Sequence, residues 1–172
     1  MDRIRKVHQI PTDLSLSVPD HVDDVCSVIK GGRVLYEASL KAGLTLPIHP
    51  FIEELLRRLG LGPGQLAPNA LRIVVSFLKS WQRISEGSAE TFVLGLLYLY
   101  KLVPVPKSSN HWYFVARDKE NKLVTKLPSS NGSWKDSYFV VRGEAHLKGV
   151  NCSWGNPNKF GQSSLFFYFF PF

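Results

Sequence analysis

The chain has 172 residues, a length that predicts one domain rather than several. Its hydrophobic fraction of 44% is sufficient for a core, which excludes a generally disordered chain. The 21 lysines and arginines exceed the 14 aspartates and glutamates, and 21 − 14 gives a net charge of +7. This excess favours weak attraction to nucleic acid or to other acidic surfaces.

The cysteines and the apolar runs exclude several other classes of protein. Cys26 and Cys152 are the only cysteines, which are too few for a disulfide scaffold or a four-ligand zinc site. The first residues are charged and no apolar stretch follows them, so no secretory signal is predicted. No window reaches the roughly 20 apolar residues that span a bilayer. We therefore expect an intracellular protein, in the nucleus or the cytoplasm, with no membrane contact and no cofactor.

The N-terminal part predicts an arm followed by two short helices. Residues 1–19 mix charges with two prolines and show no period, so we predict a flexible N-terminal arm. Asp20 can cap a helix that extends to Ile29, after which a pair of glycines follows. A second short helix is predicted over residues 34–42.

Three further helices have stronger support from the spacing of apolar residues. Residues 49–59 place their apolar side chains on one face, and Gly60 follows as a helix end. Residues 69–83 repeat apolar positions at helical spacing. The last predicted helix runs from Ser88, a capping residue, to Leu102, and it is apolar almost all round, which predicts a central position.

The remaining sequence indicates β-structure and then loses its pattern. Strands are predicted at residues 112–115, 122–126 and 134–141, with turns between them. The fold class is therefore α+β: an N-terminal cluster of about four to five helices packed with a small antiparallel three-stranded β-meander. We assign residues 20–148 to this domain and residues 149–172 to an irregular tail. The apolar end of that tail predicts aggregation.

Four segments carry a resemblance to a known family. In chain order they are residues 43–51 (GLTLPIHPF), 66–70 (LAPNA), 112–114 (WYF) and 133–141 (SWKDSYFVV). Together they resemble blocks of the plant domain called “putative gypsy-type transposon”, over residues 34–145. The resemblance implies a truncated domain of retroelement origin, often found near gag-like sequence, and it brings no agreed catalytic residues.

Catalytic and metal-binding arrangements are weakly represented in the chain. A two-metal nuclease needs separated carboxylates, and the candidates are Asp23, Asp24, Asp118 and Asp136. The first two are adjacent and point in different directions on a helix, and the last two lie in or beside predicted turns. The histidines are scattered, and the glycines at positions 60, 62 and 64 follow a helix, unlike those of a phosphate-binding loop. We therefore predict that the chain is not an enzyme.

The predicted function is a non-enzymatic domain that acts by interaction or assembly, including self-association. The alternatives are a weak, sequence-tolerant nucleic-acid-binding module and a degenerate fragment of a transposase. The nucleic-acid alternative uses basic residues on or near the helices: Arg57, Arg58, Arg72, Lys79, Arg83, Lys101 and Lys107. The candidate stacking residues are Trp112, Tyr113, Trp134 and Tyr138, although packing of the sheet on the helices uses some of them.

Overall fold

The protein has an α+β structure with two small sheets. The computed structural model describes residues 1–19, 32–84, 93–108, 110–120, 122–129, 133–143 and 154–158. Within these residues it has five α-helices and one 3-10 turn. The helices are α1 Asp2–His8, α2 Glu37–Lys41, α3 Pro50–Leu59, α4 Pro68–Ile84 and α5 Val93–Leu99, and the 3-10 turn is Pro63–Gln65.

Five strands form two antiparallel sheets in the same described residues. The strands are β1 Ser15–Ser17, β2 Gly32–Tyr36, β3 Tyr100–Pro104, β4 Trp112–Ala116 and β5 Tyr138–Arg142. The middle strand of the three-stranded sheet is β5, in the order β1-β5-β2, and β3 pairs with β4 in a two-stranded sheet. The predicted α+β class is confirmed, and so is the presence of a three-stranded antiparallel sheet.

Helices α3 and α4 form where the apolar spacing predicts them. His49 caps α3 through its Nδ1 atom, which accepts a hydrogen bond from the Phe51 N–H at 3.2 Å, and Pro50 occupies the first helical position. The helix ends at Gly60, whose φ of 69° is a left-handed conformation that glycine adopts without strain. Both helix predictions are confirmed, because each helix buries one apolar face.

Both helices contribute their apolar faces to the core. Phe51 of α3 and Phe77 of α4 stack with ring centroids 5.8 Å apart. Leu55, Leu56 and Leu59 of α3 are completely buried. Burying one leucine side chain contributes about 1.5–3 kcal/mol, so this face of α3 is a major source of stability.

The segment 34–42, predicted as a helix, divides into a strand and a helix. Residues Val34, Leu35 and Tyr36 belong to β2, and α2 begins at Glu37. The strand forms because β5, far later in the chain, supplies its hydrogen-bonding partner. A pairing at this distance leaves no periodic signal in the local sequence, and the helix prediction is wrong for the first three residues.

The end of the last predicted helix is also a strand. Helix α5 ends at Leu99, and β3 follows at once and pairs with β4. Tyr100 and Leu102 are buried while Lys101 is exposed, an alternation typical of a strand. The predicted start of this helix at Ser88 lies outside the described residues, and so does the helix predicted for residues 20–29.

The predicted β-meander is wrong, although two of its strands exist. Strand β4 matches the prediction for residues 112–115, and β5 covers the second half of the strand predicted for residues 134–141. Residues 122–126, which are described, form no strand. Because β4 pairs with β3 while β5 pairs with β1 and β2, the predicted strands do not share one sheet. Local alternation carries no information about which strands pair.

The N-terminal segment, predicted as a flexible arm, instead forms α1 and β1. The Arg5 guanidinium donates hydrogen bonds to the carbonyl oxygens of Pro11 and Leu14, which ties α1 to the following turn. Ile10 and Leu14 are buried in the main core, with 4% and 0% of their surface exposed. Strand β1 then pairs with β5. The arm prediction failed here because two isolated apolar residues, without a period, were enough to anchor the segment.

Part of the predicted irregular tail also contacts the core. The Asn158 N–H donates to the Leu59 carbonyl oxygen at 2.7 Å, and the Trp154 ring lies 5.1 Å from the His111 ring. Residues 154–158 contain no helix or strand. The other residues of the predicted tail lie outside the described structure, and the domain boundaries at residues 19/20 and 148/149 stay predictions.

Candidate nucleic-acid interface

Three of the predicted basic residues lie along one face of α4. Arg72, Lys79 and Arg83 are separated by seven and then four residues, and at 3.6 residues per turn these steps return to nearly the same side of the helix. At about 1.5 Å per residue, they extend about 16 Å along the helix axis. Lys79 and Arg83 are exposed, and Arg72 is half-buried. We call these three residues the α4 basic stripe.

The charge of the α4 basic stripe is not neutralised by its own helix. Helix α4 has no aspartate or glutamate among its 17 residues. Within the described ranges no salt bridge involves the stripe. Arg72 donates a hydrogen bond of 2.9 Å to the side chain of Asn69, which is neutral. This face of α4 therefore carries three positive charges that attract an anionic partner.

Arg57 and Arg58 of α3, by contrast, are paired with an acid. Arg57 donates to both carboxylate oxygens of Glu54 at 2.8 Å, and Arg58 Nε donates to Oε1 at 2.5 Å. The hydrogen bonds from Arg58 and Arg57 hold the pKa of the Glu54 carboxyl below its ordinary value. Because the Glu54 carboxylate neutralises part of the positive charge of Arg57 and Arg58, these two residues attract phosphate less strongly than the α4 basic stripe does.

Lys101 and Lys107 lie on the two-stranded sheet and on the connection between its strands. Lys101 is exposed on β3 opposite Val115, so it shares the outer face of the sheet with Tyr113, its diagonal neighbour at about 7–8 Å. Lys107 is exposed in the connection to β4 and has a left-handed φ of 56°. Lys101 therefore adds positive charge on the side of the sheet where Tyr113 lies.

A groove of about 850 Å³ runs beside the first turns of α4. Arg72 of the α4 basic stripe lines it, together with Tyr113 of β4 and the turn that carries Trp134, Lys135 and Asp136. Two positive charges and one negative charge on this lining give a net charge of +1. The apolar part of the wall includes three prolines: Pro68, Pro106 and Pro128.

A chain of polar contacts fixes the turn that carries Lys135. Its Nζ atom donates to Ser108 Oγ at 2.6 Å, and Ser108 Oγ lies 2.8 Å from His111 Nδ1. The other ring nitrogen of His111, Nε2, lies 3.0 Å from the Tyr36 hydroxyl on β2. A tautomer protonated on Nε2 satisfies the whole chain, because Nδ1 then accepts the Ser108 proton and Nε2 donates to Tyr36.

Aromatic contacts hold the neighbouring Trp134 in the same way. Its ring packs edge-to-face with Tyr36 at 4.9 Å and with His111 at 5.1 Å between centroids. Lys135 Nζ lies 5.4 Å from the Trp134 ring centroid. Residues from β2, from the β3–β4 connection and from the turn before β5 thus fix this wall of the groove.

The four predicted stacking residues fall into two pairs. Trp112 is 8% exposed and belongs to the core, and Tyr138 packs against Tyr36 with ring centroids 6.2 Å apart. Trp134 and Tyr113 line the groove. Tyr113 is half-buried, and no other aromatic ring of the described residues packs against it. Tyr113 is therefore the aromatic side chain best placed to stack on a ligand in the groove.

The predicted metal candidates serve as turn residues wherever the structure describes them. The Asp118 carboxylate accepts a hydrogen bond from the Glu120 N–H at 3.0 Å, and the Asp136 N–H donates to the Ser133 carbonyl at 3.0 Å. Asp23 and Asp24 lie outside the described residues. Among the residues that the structure describes, no group of three histidine, cysteine, aspartate or glutamate side chains could hold a metal ion. None of the described helices is long and apolar enough to cross a membrane.

Sequence reasoning missed the connected group formed by Ser108, His111 and Lys135. Ser108 and His111 lie three residues apart in the β3–β4 connection, and that spacing is a signal that could have paired them. Lys135 reaches them only after folding, because it belongs to the turn before β5. No local pattern could have predicted that contact.

Comparisons with known proteins give a result for part of the chain. Residues 34–82 match the family model described as “Putative gypsy type transposon”. The match covers under a third of the chain and includes Arg72 and Lys79 of the α4 basic stripe. No similar curated protein and no similar solved structure was found. The plant and gag-like character of the chain, and the resemblance beyond residue 82, stay predictions. Over residues 34–82 the chain is similar to a transposon-related family of gypsy type.

Proposed function

We propose that the chain is a non-enzymatic domain of gypsy-type retroelement origin that binds nucleic acid through the α4 basic stripe. The observation that carries the proposal is the alignment of Arg72, Lys79 and Arg83 on one side of a helix that has no acidic residue. The family similarity supports the origin, because it covers most of α4. The net charge of +7 supports a negatively charged partner.

The stripe would contact the phosphate backbone rather than the bases. Lysine and arginine side chains that neutralise phosphates release counterions, so affinity falls as salt rises. Three phosphate contacts predict a slope of about −2 to −3 for log affinity against log salt concentration. Phosphate contacts alone carry no sequence information, and we therefore expect binding that tolerates any base sequence.

Charge reversal on the stripe tests this function. In the double variant Lys79→Glu/Arg83→Glu, affinity for a labelled DNA should fall at least about tenfold at low salt, with a salt slope shallower by about 1.5. Both residues are exposed, so the fold should survive. Fluorescence anisotropy titrations at several salt concentrations measure both quantities, and circular dichroism verifies the fold.

A matched control separates the stripe from the net charge of the molecule. The double variant Lys119→Glu/Lys122→Glu changes the net charge equally, and both residues are exposed and do not line the groove. It should keep its affinity within about threefold. An unmodified chain that binds no DNA at low salt, or equal losses in both double variants, would exclude the α4 basic stripe as a binding site.

The proposed lack of catalytic activity and the predicted self-association need separate tests. We expect no cleavage of labelled DNA with added magnesium or manganese. Cleavage that disappears in Asp118→Ala or Asp136→Ala would instead identify a transposase fragment. Light scattering of the same preparations measures the molecular mass in solution. A mass above that of one chain would support the predicted self-association.

A further inference from the structure

The groove beside α4 differs from the stripe in what it can recognise. A stripe of lysine and arginine contacts phosphates only, whereas the groove combines positive charge with an aromatic ring. Arg72 belongs to both, so the two surfaces are continuous. Tyr113 and Lys135 supply the ring and a second positive charge inside the groove. Its volume of about 850 Å³ lies in the range of small-ligand sites, and a nucleotide fits within it.

We propose that the groove binds an unpaired base of single-stranded nucleic acid, stacked on Tyr113, with its phosphate held by Arg72 and Lys135. This inference rests on the function proposed for the α4 basic stripe and names its substrate class. In a duplex both faces of each base are covered by neighbouring bases, so Tyr113 has no face to stack on. An unpaired base offers its face to the groove, and stacking of this kind tolerates any base.

The fixed wall of the groove favours this ligand energetically. The Ser108–His111–Tyr36 chain holds Lys135 before a ligand arrives, so less side-chain entropy is lost on binding. The charge balance also favours an anion, because Asp136 offsets only one of the two positive charges on the lining. A proline-rich peptide is the competing occupant, since aromatic and proline side chains line such sites, but it would not use the positive charge.

The decisive comparison is between a thymidine strand and an abasic strand, which carry the same phosphates and differ only in their bases. We would compare a thymidine strand of about twelve nucleotides, a duplex of equal length, and a strand of equal length made of abasic sites. The thymidine strand should bind the unmodified protein at least about tenfold more tightly than either other ligand at equal salt. Because this comparison uses no protein variant, it does not depend on whether a substitution is tolerated.

Two pairs of variants then locate the contacts. Tyr113→Ala should lower affinity for the thymidine strand about tenfold and leave duplex affinity within about twofold, whereas Tyr113→Phe, which keeps the ring, should bind normally. Lys135→Gln keeps a donor for Ser108 but loses the charge. It should make the salt slope shallower by about 0.7, and Lys135→Arg should restore the slope.

The outcomes distinguish this inference from the function it rests on. Equal affinity for the thymidine and abasic strands, or equal binding by Tyr113→Ala and Tyr113→Phe, overturns the groove as a base site while leaving the stripe intact. Failure of all three ligands to bind at low salt overturns both. A polyproline peptide that displaces the thymidine strand and binds more tightly would assign the groove to a peptide.

Discussion

The Gln65 side chain connects three parts of the described structure through hydrogen bonds. It is completely buried in the 3-10 turn. Its Oε1 atom accepts a hydrogen bond from the Gly62 N–H at 2.9 Å. Its Nε2 atom donates to the carbonyl oxygens of Asn110 at 3.1 Å and Gly155 at 2.9 Å. One amide therefore joins the turn after α3, the β3–β4 connection and the segment 154–158.

Loss of this amide should destabilise the fold. We expect Gln65→Leu to lower the free energy of unfolding by about 2–3 kcal/mol, because buried backbone groups lose their partners. The matched control is Gln82→Leu, at an exposed position of α4, which should change stability by less than about 0.5 kcal/mol. Urea unfolding followed by tryptophan fluorescence measures both. Equal effects would mean that the Gln65 contacts contribute nothing.

The acid between two arginines on α3 predicts a dependence on pH. The pKa of Glu54 is lowered by its hydrogen bonds to Arg58 and Arg57, so its stabilising effect is complete above the unfolded pKa and is lost as pH falls through the folded one. Glu54→Gln should therefore cost less than about 1 kcal/mol at pH 7, because the group is partly exposed. The difference in unfolding free energy between Glu54→Gln and the unmodified protein should shrink below about pH 4.

A neighbouring glutamate on the same helix provides the comparison. Glu53 forms no salt bridge with any described residue, so Glu53→Gln should change stability little at either pH. Denaturant midpoints at pH 7 and pH 3 give both values. A constant difference between Glu54→Gln and the unmodified protein across this range would contradict the role assigned to the ion pair.

At the scale of single residues, the sequence could name the basic side chains but not their partners. Arg72, Lys79 and Arg83 could be aligned from helical spacing alone, because the helix prediction for α4 was correct. On a helix, a spacing of four residues would pair Arg57 with Glu53 and Arg58 with Glu54. In the structure both arginines instead form salt bridges with Glu54, because Arg57 reaches it at a separation of three residues.

At the scale of elements, helices were predictable where strands were not. The apolar faces of α3 and α4 repeat within a few turns, so a short window of sequence contains the whole signal. Residues 34–36 of β2 and 100–102 of β3 were predicted as helix because their apolar residues suit either state, and their strand partners decide the outcome. The groove lies between elements from both groups, so its existence could not be predicted from the sequence.

A pair of substitutions tests whether the N-terminal segment is anchored to the core, as in the structure, or is a flexible arm. Leu14 has no exposed surface, so Leu14→Ala should cost about 2–5 kcal/mol through lost packing and the cavity left behind. Val18 lies four residues later and is 69% exposed, so Val18→Ala should cost less than about 0.5 kcal/mol. Chemical denaturation compares the two. A flexible arm would show equal, negligible effects.

At the scale of the whole molecule, the segment 154–158 should behave as part of the fold. A chain that ends at Lys148 loses the Asn158 hydrogen bond to Leu59 and the Trp154 contact with His111. Its melting temperature should fall by at least about 4 °C relative to a chain that ends at Asn158. Differential scanning calorimetry measures the difference. Equal melting temperatures would mean that residues 154–158 do not stabilise the fold and belong to the irregular tail.

A comparison of the chain that ends at Asn158 with the full chain tests the prediction of aggregation. Residues 165–172 are apolar and rich in phenylalanine, which predicts association through β-structure. The chain ending at Asn158 should therefore remain soluble at higher concentration than the full chain, with unchanged stability. Solubility after centrifugation measures this, and equal solubility would contradict the prediction.

The central position of β5 has a consequence for biosynthesis. Strands β1 and β2 emerge early from the ribosome, yet among the described strands each one pairs only with β5, whose last residue is Arg142. Until that residue leaves the exit tunnel, both early strands present unsatisfied edges to solvent or to a chaperone. The helices α3 and α4 can collapse during translation, whereas the three-stranded sheet must wait for the late part of the chain.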